Sequence, residues 1–370
     1  MPVKEKNVEL IELFYDLIFV YGISRLTTLI GEPINGFISS TNLFMWIITS
    51  FVLLQAWLYF TNYVNRYGKW KWYEYILACI NMIAVIYMTN TISTNWQAMA
   101  FPFNLSMLII LLTVIILYSI PAIKEKSLKG AAGNSITILS IVCTIYIIAI
   151  ICKFLNFTSL IIWINVIAVI TGAFLPFFIQ GKFDKSIISF PHLVERFELL
   201  TIITFGEAIV GMTHFFDVGN FNIIPILIFA IIITMFGGYV VQIHNLVDHH
   251  REERSLRLMF SHYFIVISIN LITIVFELIH TGEVNHLLAG ILTVISLSIF
   301  YISIMANSPY HSETVNFRRN DALLMILFTL IGSMFIFLFL DNFGFLIGVL
   351  IITLGNLSVL VKKDKESKLL

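Results

Sequence analysis

This 370-residue chain has little cysteine and, for its length, few charged side chains. The three cysteines, Cys79, Cys143 and Cys152, all lie in apolar runs, which excludes a disulfide framework and a cysteine-rich metal site. Charged residues make up 12% of the chain, against about 25% in soluble domains. The net charge is zero, so no overall field favours nucleic acid, and we expect no nucleic-acid partner.

Signatures of catalysis and of cofactor binding are also missing. The sequence holds no Walker loop, no HExxH motif and no GxSxG motif in a nucleophile-elbow context. No lysine falls within the predicted spans given below, which excludes a retinal Schiff base, and the arginine spacing of a voltage sensor is absent. We therefore expect no enzymatic activity and no cofactor. The least favoured alternative is an intramembrane enzyme, in which a pair of acidic residues would act on a lipid headgroup or an isoprenoid.

Long apolar runs, in contrast, dominate the chain. Hydrophobic residues make up 59% of it and the mean hydropathy is +0.93, which is typical of a polytopic membrane protein. About 20 helical residues cross a hydrocarbon core of about 30 Å. We predict an all-α membrane bundle of about twelve transmembrane helices in the lipid bilayer, with no soluble domain and no cleavable signal. The predicted spans are residues 10–30, 42–62, 73–93, 102–121, 135–152, 160–180, 194–213, 222–243, 258–279, 287–305, 322–340 and 344–361.

The basic residues are distributed asymmetrically between the two sides of these spans. Of the 22 lysines and arginines, only Lys153 lies in a link on one side, while Arg25 and Arg196 lie within spans. Because cytoplasmic links carry the excess of Lys and Arg, this bias predicts that both termini are cytoplasmic. The residues on the predicted cytoplasmic side are Lys4, Lys6, Arg66, Lys69, Lys71, Lys124, Lys126, Lys129, Lys182, Lys185, Arg251, Arg254, Arg257, Arg318, Arg319, Lys362, Lys363, Lys365 and Lys368.

The first and seventh predicted spans resemble each other. LIELFYDLIFVYG, from Leu10, aligns with LVERFELLTIITF, from Leu193, and an acidic residue recurs as Glu12 and Glu195. The alignment predicts two parallel six-helix repeats, residues 1–183 and 184–370, about an axis along the membrane normal. The alternative is a chance similarity between two amphipathic helices.

Acidic residues inside the first span are the strongest functional signal. An ionisable side chain at membrane depth costs at least about 2.5–3.5 kcal/mol and usually marks an ion, proton or substrate path. Glu9, Glu12 and Asp16 share one helical face, and Asp16 is expected within the cytoplasmic half of the membrane. Alternatively, Glu9 and Glu12 lie at the headgroups near the positive end of the helix. Arg25 lies about 180° around the helix from Asp16 and needs a partner elsewhere.

The seventh span carries the second group of ionisable residues. His192, Glu195, Arg196 and Glu198 crowd its cytoplasmic end, where a purely structural pair between Arg196 and a carboxylate is the alternative. Glu207 is expected near the bilayer centre, where a carboxylate either takes up a proton or finds a cation. The alternative for Glu207 is an interhelical hydrogen bond, with Arg25 as one candidate partner.

Histidines outside the first and seventh spans give two weaker signals. His262, early in the ninth span, could join a polar cluster on the cytoplasmic side. His244 and Asp248 have a spacing that suits a metal, but without a third ligand we predict no metal site.

Two segments carry a family resemblance. ELFYDLIFVYGISRL, at Glu12–Leu26, and HLVERFELLTIITFGEAIVG, at His192–Gly211, resemble the bacterial low temperature requirement A family, and the likeness in length and span pattern covers nearly the whole chain. The resemblance implies a role in growth in the cold and a place in the bacterial cytoplasmic membrane, without a settled activity. The polar signature that it carries over consists of Glu12, Phe14, Asp16, Glu195, Arg196, Phe197, Gly206 and Glu207.

A looser likeness is to two-repeat lysosomal-type potassium channels, which have an Arg…Phe-Ser-Asp pattern on the first helix of each repeat. This chain departs from that pattern, with Phe14-Tyr15-Asp16 in the first repeat and Arg196-Phe197-Glu198 in the second.

These observations favour a proton- or cation-coupled transporter for an unidentified small solute or ion. The alternatives are a passive two-repeat ion channel and a non-transporting membrane component for growth in the cold. The oligomeric state is left open, a homo-oligomer included. The predicted pathway consists of Glu12, Asp16, Arg25, Glu195, Arg196, Glu198 and Glu207, with His192 and His262 as accessory residues.

Overall fold

The computed structural model describes residues 6–124, 130–179, 187–217, 219, 221–251, 255–339 and 341–369. Within these ranges the chain is helical, with two isolated β-bridges and no strand, so the all-α prediction is confirmed. Several basic residues used for the orientation prediction lie outside the described residues: Lys4, Lys126, Lys129, Lys182, Lys185 and Arg254.

Twelve long α-helices and one short helix, α2, follow one another along the described ranges. A π-helical turn, Val240–Asn245, extends α9, and 3₁₀ turns lie at Thr213–Phe215 and Ser308–Tyr310. The helices are α1 Leu10–Arg25, α2 Thr27–Ile30, α3 Ser40–Tyr67, α4 Trp72–Asn90, α5 Trp96–Lys124, α6 Ala131–Phe154, α7 Thr158–Phe178, α8 Phe190–Met212, α9 Ile223–Tyr239, α10 Leu256–Thr281, α11 His286–Met305, α12 Arg319–Leu338 and α13 Asn342–Ser367.

Eleven segments are long and apolar enough to cross a membrane, with α1 and α2 counted together as Leu10–Ile30. The twelfth long helix, α8, spans 23 residues but carries Glu195, Arg196, Glu198 and Glu207, too many charges for a typical apolar span. The chain is thus a multi-pass membrane protein. The cytoplasmic location of the termini stays a prediction.

The predicted bounds of the fourth span, residues 102–121, are wrong. The sequence places Pro102 at the start of the fourth span and Pro121 at its end, whereas α5 begins at Trp96 and continues to Lys124. Both prolines lie inside the helix, where each removes one backbone hydrogen bond. Transmembrane helices tolerate this more often than soluble ones, because neighbouring groups satisfy the freed carbonyls. Pro191 and Pro225 lie in the first turns of α8 and α9, where the missing N–H removes no intrahelical hydrogen bond.

The chain divides into two compact units. The first comprises residues up to Ile30, Ser39–Arg196 and His250–Ser255. Within it α3 is central, because it contacts α1, α2, α5 and α7, and α4, α5, α6 and α7 pack in sequence order. Many apolar side chains of α3 are fully buried, Trp57 among them. The first turns of α8, up to Arg196, belong to this unit and bring their polar residues into it.

The second unit comprises Gly31–Ile38, Phe197–His249 and the chain from Leu256 onward. Its main pairs are α12 with α13, α10 with α11, and α9 with α13. α12 and α13 approach closely at Gly332 and Gly348, since a Cβ atom on Gly332 would lie 2.5 Å from the carbonyl oxygen of Gly348. Small residues commonly allow such contacts between membrane helices. The division into repeats at residue 183 stays a prediction.

Candidate functional site

The two acidic residues of α1 face the interior of the first unit. Glu12 and Asp16 lie one turn apart, and both are 0% exposed. The opposite face of the helix is apolar and exposed, with Leu10, Phe14 and Leu17 at 82%, 55% and 51%. α1 therefore presents apolar residues outward and its carboxylates inward, as expected for a membrane helix with a polar interior. Both carboxylates are therefore shielded from solvent by the protein, and the assignment of Glu12 and Asp16 to a transport pathway stays a prediction.

Arg196 of α8 joins the two carboxylates. Its Nη1 lies 2.5 Å from Glu12 Oε2, its Nη2 lies 2.5 Å from Asp16 Oδ1, and its Nε donates to Asp16 Oδ2 at 3.2 Å. The guanidinium is fully buried, so these are charge-assisted bonds in a dry environment. Glu12 on α1 is hydrogen-bonded to His192 on α8. One turn further along both helices, Asp16 is hydrogen-bonded to Arg196. α1 and the first turns of α8 therefore run past each other in the same direction.

Two tryptophans complete the hydrogen bonding of the carboxylates. Trp57 Nε1 of α3 donates to Asp16 Oδ1 at 2.7 Å, and Trp70 Nε1 donates to Glu12 Oε1 at 3.1 Å. The Arg196 guanidinium also lies 5.6 Å from the centroid of the Trp57 ring. Trp70 has φ +49°, a left-handed conformation that is costly for a bulky residue. Trp70 lies in the link before α4, and this strained backbone conformation is found at the residue whose indole donates to the buried Glu12 carboxylate.

His192 connects the carboxylates to α3. Its Nε2 lies 3.0 Å from Glu12 Oε2, and its Nδ1 lies 3.0 Å from Asn65 Nδ2. Asn65 in turn exchanges two hydrogen bonds with the backbone of Ser189, just before α8. His192 and Asn65 are 0% and 1% exposed. We call Glu12, Asp16, His192 and Arg196 the acid–arginine cluster; α1 and α8 supply its members, and α3 tethers it.

The charges of the acid–arginine cluster are closely matched. Two carboxylates face one guanidinium, and Lys6, whose Nζ donates to the carbonyl oxygens of Val64 and Gly68, is near enough to attract Glu12 electrostatically. Removing one member of such a network leaves a buried charge without compensation. If Arg196 leaves the carboxylates, their negative charge must therefore be compensated by a bound proton or cation, or exposed to water by a movement of the helices.

Other predicted pathway residues occupy different environments. Glu195, next to Arg196 in sequence, is exposed, and Glu198 lies 3.1 Å from His244 with its side chain 14% exposed. Glu207, expected to be buried at the bilayer centre, is half-buried and has no hydrogen-bonding or ionic partner among the described residues of its own unit. The structure therefore brings together four of the predicted residues, Glu12, Asp16, His192 and Arg196, within the first unit.

The remaining two predicted residues, Arg25 and His262, have surroundings of their own. Arg25, at the end of α1, is half-buried, and its Nε makes no hydrogen bond within the described part of the chain. His262 is 1% exposed in the second unit, where its Nδ1 lies 2.8 Å from the Leu258 carbonyl oxygen and its Nε2 lies 3.0 Å from the Tyr239 hydroxyl. These contacts are those of a hydrogen-bonded core histidine.

Sequence reasoning missed five residues that contact the cluster or support it: Trp57, Thr61, Asn65, Trp70 and Ser189. Trp57, Thr61 and Asn65 recur at four-residue intervals in an apolar run, which places them on one face of α3. That polar stripe was available in the sequence and marks the face of α3 turned toward the cluster. Nothing in the local sequence of Trp70 indicates a contact with Glu12.

No group of three His, Cys, Asp or Glu side chains in the described ranges could hold a metal ion. The His244–Asp248 spacing accordingly gains no third ligand there.

The chain matches a protein-family model over most of its length. Residues 7–356 match the family model described as bacterial low temperature requirement A protein (LtrA). Neither the curated proteins nor the solved structures contain a match to the chain.

Proposed function

The chain belongs to the bacterial low temperature requirement A family, and we propose that it is a proton- or cation-coupled transporter of the cytoplasmic membrane. The acid–arginine cluster is the coupling site. The observation that carries the proposal is the complete burial of Glu12, Asp16 and Arg196 in a membrane-embedded unit. Buried ionisable residues in membrane helices are found mainly where ions, protons or substrates pass.

Coupling follows from the placement of the charges on different helices. Glu12 and Asp16 lie on α1, while Arg196 lies on α8, so these ion pairs break only when the two helices move apart. Carboxylates that lose Arg196 must take up protons or cations, because two bare anions are too costly in a dry interior. A movement that opens the site is thereby tied to the binding of positive charge, which is what a coupled transporter requires.

A passive channel fits the cluster less well. Conduction needs binding groups along a hydrated path, and ions must enter and leave them easily. The carboxylates here are dry and engaged by Arg196, Trp57 and Trp70. These contacts favour a site that opens by conformational change.

The proposal is tested with purified protein reconstituted into liposomes that contain a pH-sensitive dye. An outward K⁺ or Na⁺ gradient is imposed, and proton movement is recorded as a function of cation concentration. Wild-type protein should give saturable proton flux. Asp16→Asn should reduce it by at least about tenfold, equivalent to about 1.4 kcal/mol, because the neutral amide cannot exchange charge with Arg196.

Glu283→Gln is the matched control, since Glu283 is an exposed glutamate in the link between α10 and α11. It should retain wild-type flux. Equal flux in Asp16→Asn and wild type would remove the cluster from the mechanism. Non-saturating conductance in a planar bilayer would favour the channel. Full rescue of a cold-sensitive deletion strain by Asp16→Asn and by Glu12→Gln would favour the non-transporting role.

A further inference from the structure

We infer that His192 is the group through which the acid–arginine cluster accepts a proton, and that protonation of its Nδ1 opens the tether between Asn65 and Ser189. This inference rests on the proposed function for its role in coupling, and it names the proton as the coupling ion. The binding step itself is measurable without transport.

The tether fixes the orientation of the Asn65 amide. The backbone N–H of Ser189 donates to Asn65 Oδ1 at 3.2 Å, and Asn65 Nδ2 donates to the Ser189 carbonyl oxygen at 2.8 Å. A peptide N–H can only donate and a peptide carbonyl can only accept, so the reversed amide would oppose donor to donor and acceptor to acceptor. Nδ2 is therefore the atom that faces His192 Nδ1 at 3.0 Å.

This orientation determines the state of His192. Because Asn65 Nδ2 is a donor, Nδ1 of His192 must offer its lone pair, and the ring hydrogen is on Nε2. Nε2 then donates to Glu12 Oε2, 3.0 Å away. His192 is thus a neutral imidazole beside a carboxylate, with one basic nitrogen held by an amide.

Burial is the main reason that His192 favours its neutral form, because a charged ring loses its hydration there, and the neighbouring charges act in addition. His192 lies in the first turn of α8, where the helix dipole is positive, and Arg196 follows one turn later. The charged groups that act on it are Glu12 from α1, Lys6 from the N-terminal segment and Arg196 from α8. α3 faces it with the uncharged Asn65. The carboxylate of Glu12 attracts an added proton, and Arg196 and Lys6 oppose it until they move.

A metal cation fits this cluster poorly. Each oxygen of Glu12 and Asp16 already accepts at least one hydrogen bond, from Arg196, Trp57, Trp70 or His192. A hard cation needs several oxygen ligands and would have to displace these donors. A proton needs one lone pair, and His192 Nδ1 provides it.

Protonation then acts on the tether. A proton from solvent adds to Nδ1, and the new N–H points at the Asn65 Nδ2 hydrogen that Nδ1 had accepted, while the other amide hydrogen is donated to the Ser189 carbonyl oxygen. Turning the amide by 180° relieves this repulsion and presents Oδ1 to the new donor, but it breaks both hydrogen bonds to Ser189. The Ser189 carbonyl keeps its bond from the Leu193 N–H, at 3.2 Å. The first turn of α8 therefore stays helical while its link to α3 opens.

Nitrogen NMR of protein labelled with ¹⁵N-histidine, in lipid nanodiscs, tests the first step. The His192 signals are assigned by their loss in His192→Gln. At about pH 8, we expect a neutral ring with hydrogen on Nε2, and a doubly protonated ring at lower pH. A cationic ring, or hydrogen on Nδ1, at the higher pH would overturn the inference. This measurement on the wild-type chain needs no folded variant at Asn65.

Two further readouts test the tether. The ¹⁵N signal of the Asn65 side chain should change with the same midpoint as His192. Asn65→Asp should raise the His192 midpoint by at least about one pH unit, because a carboxylate accepts the Nδ1 hydrogen. Asn62→Asp is the matched control, placing the same charge on α3 at a side chain whose amide donates to the Leu58 carbonyl oxygen. A constant Asn65 signal, or equal shifts in the two aspartate variants, would refute the tether mechanism.

The two proposals can fail separately. If His192 titrates as described but reconstituted protein shows no proton-coupled flux, the proton site stands and the transporter proposal falls. If flux is coupled but His192 keeps one protonation state across the pH range of activity, this inference falls and the transporter proposal stands.

Discussion

Replacing Arg196 by methionine should destabilise the protein more than almost any other single change in the first unit. Arg196 is fully buried and is the cation in direct contact with both Glu12 and Asp16. Methionine fills part of the same volume but supplies neither a positive charge nor a hydrogen-bond donor. Two carboxylates are then left in a dry interior with only their neutral donors.

The magnitude follows from the contacts that are lost. Arg196 gives one hydrogen bond to Glu12 and two to Asp16, while the indoles of Trp57 and Trp70 and the imidazole of His192 stay in place. Removing one partner of a buried ion pair costs about 3–5 kcal/mol in free energy of unfolding. We expect a loss in this range at about pH 8, since both carboxyl groups are ionised in the unfolded chain.

The loss should depend on pH. Carboxyl groups without Arg196 stay buried most easily when they bind protons, so the folded variant binds more protons than the unfolded chain. Stability then rises as the pH falls. The deficit of Arg196→Met relative to wild type should be clearly smaller at about pH 5 than at about pH 8. Titration with SDS in mixed micelles, followed by circular dichroism, gives both values.

A triple variant separates charge from packing. Combining Arg196→Met with Glu12→Gln and Asp16→Asn removes all the charges of these pairs, and neutral replacements of whole buried ion pairs are often close to neutral in stability. It should recover most of the loss. If Arg196→Met unfolds at the wild-type SDS concentration at both pH values, the ion pairs are not buried as described. If the triple variant is no more stable than the single one, packing causes the loss.

Two further predictions concern the second unit. Gly348→Ala should lower the free energy of unfolding by about 1–3 kcal/mol, because its Cβ atom would lie 2.8 Å from the Gly332 carbonyl oxygen, between α13 and α12. Gly206→Ala is the control, since a Cβ atom there would have no neighbour within 4 Å. An equal effect of both changes would contradict the packing argument. Burial lowers the pKa of His311 from 6.5 to about 4, beside Gln242 Nε2 at 2.6 Å. The unfolded chain therefore binds the proton first, and stability present above pH 6.5 is lost as the pH falls toward 4. His311→Gln should flatten that part of the SDS-unfolding profile, and an unchanged profile would show that other groups cause the loss.

The inward face of α1 could be predicted from sequence, but its partners could not. An acidic residue among apolar ones has few stable positions in a membrane helix, so the burial of Asp16 follows from composition and spacing. Arg196 also had to meet a carboxylate, and the nearest in sequence are Glu195 and Glu198. The residues that it meets lie 180 and 184 positions away. Helical periodicity gives faces of one helix, and it carries no information on which helices pack together.

The same limit explains the outcome for Glu207. Its spacing of eleven residues from Arg196 puts both on one face of an ideal helix, about 16 Å apart. Packing changes along that distance, because α8 contributes Arg196 to the first unit and Glu207 to the second. The repeat alignment has a similar weakness, since it equates Glu12, which is fully buried, with Glu195, which is exposed. Shared residue type does not fix the buried face.

The acid–arginine cluster is difficult to explain by stability alone. Apolar side chains of similar volume often replace a buried ion network without loss, while a single change within the network is strongly destabilising. A network kept only for folding would gain little from His192, Asn65 and the strained Trp70 around it. Measuring both the proton-coupled flux and the stability of the triple variant distinguishes a role in transport from a role in folding. A folded protein without flux would assign the charges to transport, whereas a folded protein with wild-type flux would leave them a packing role.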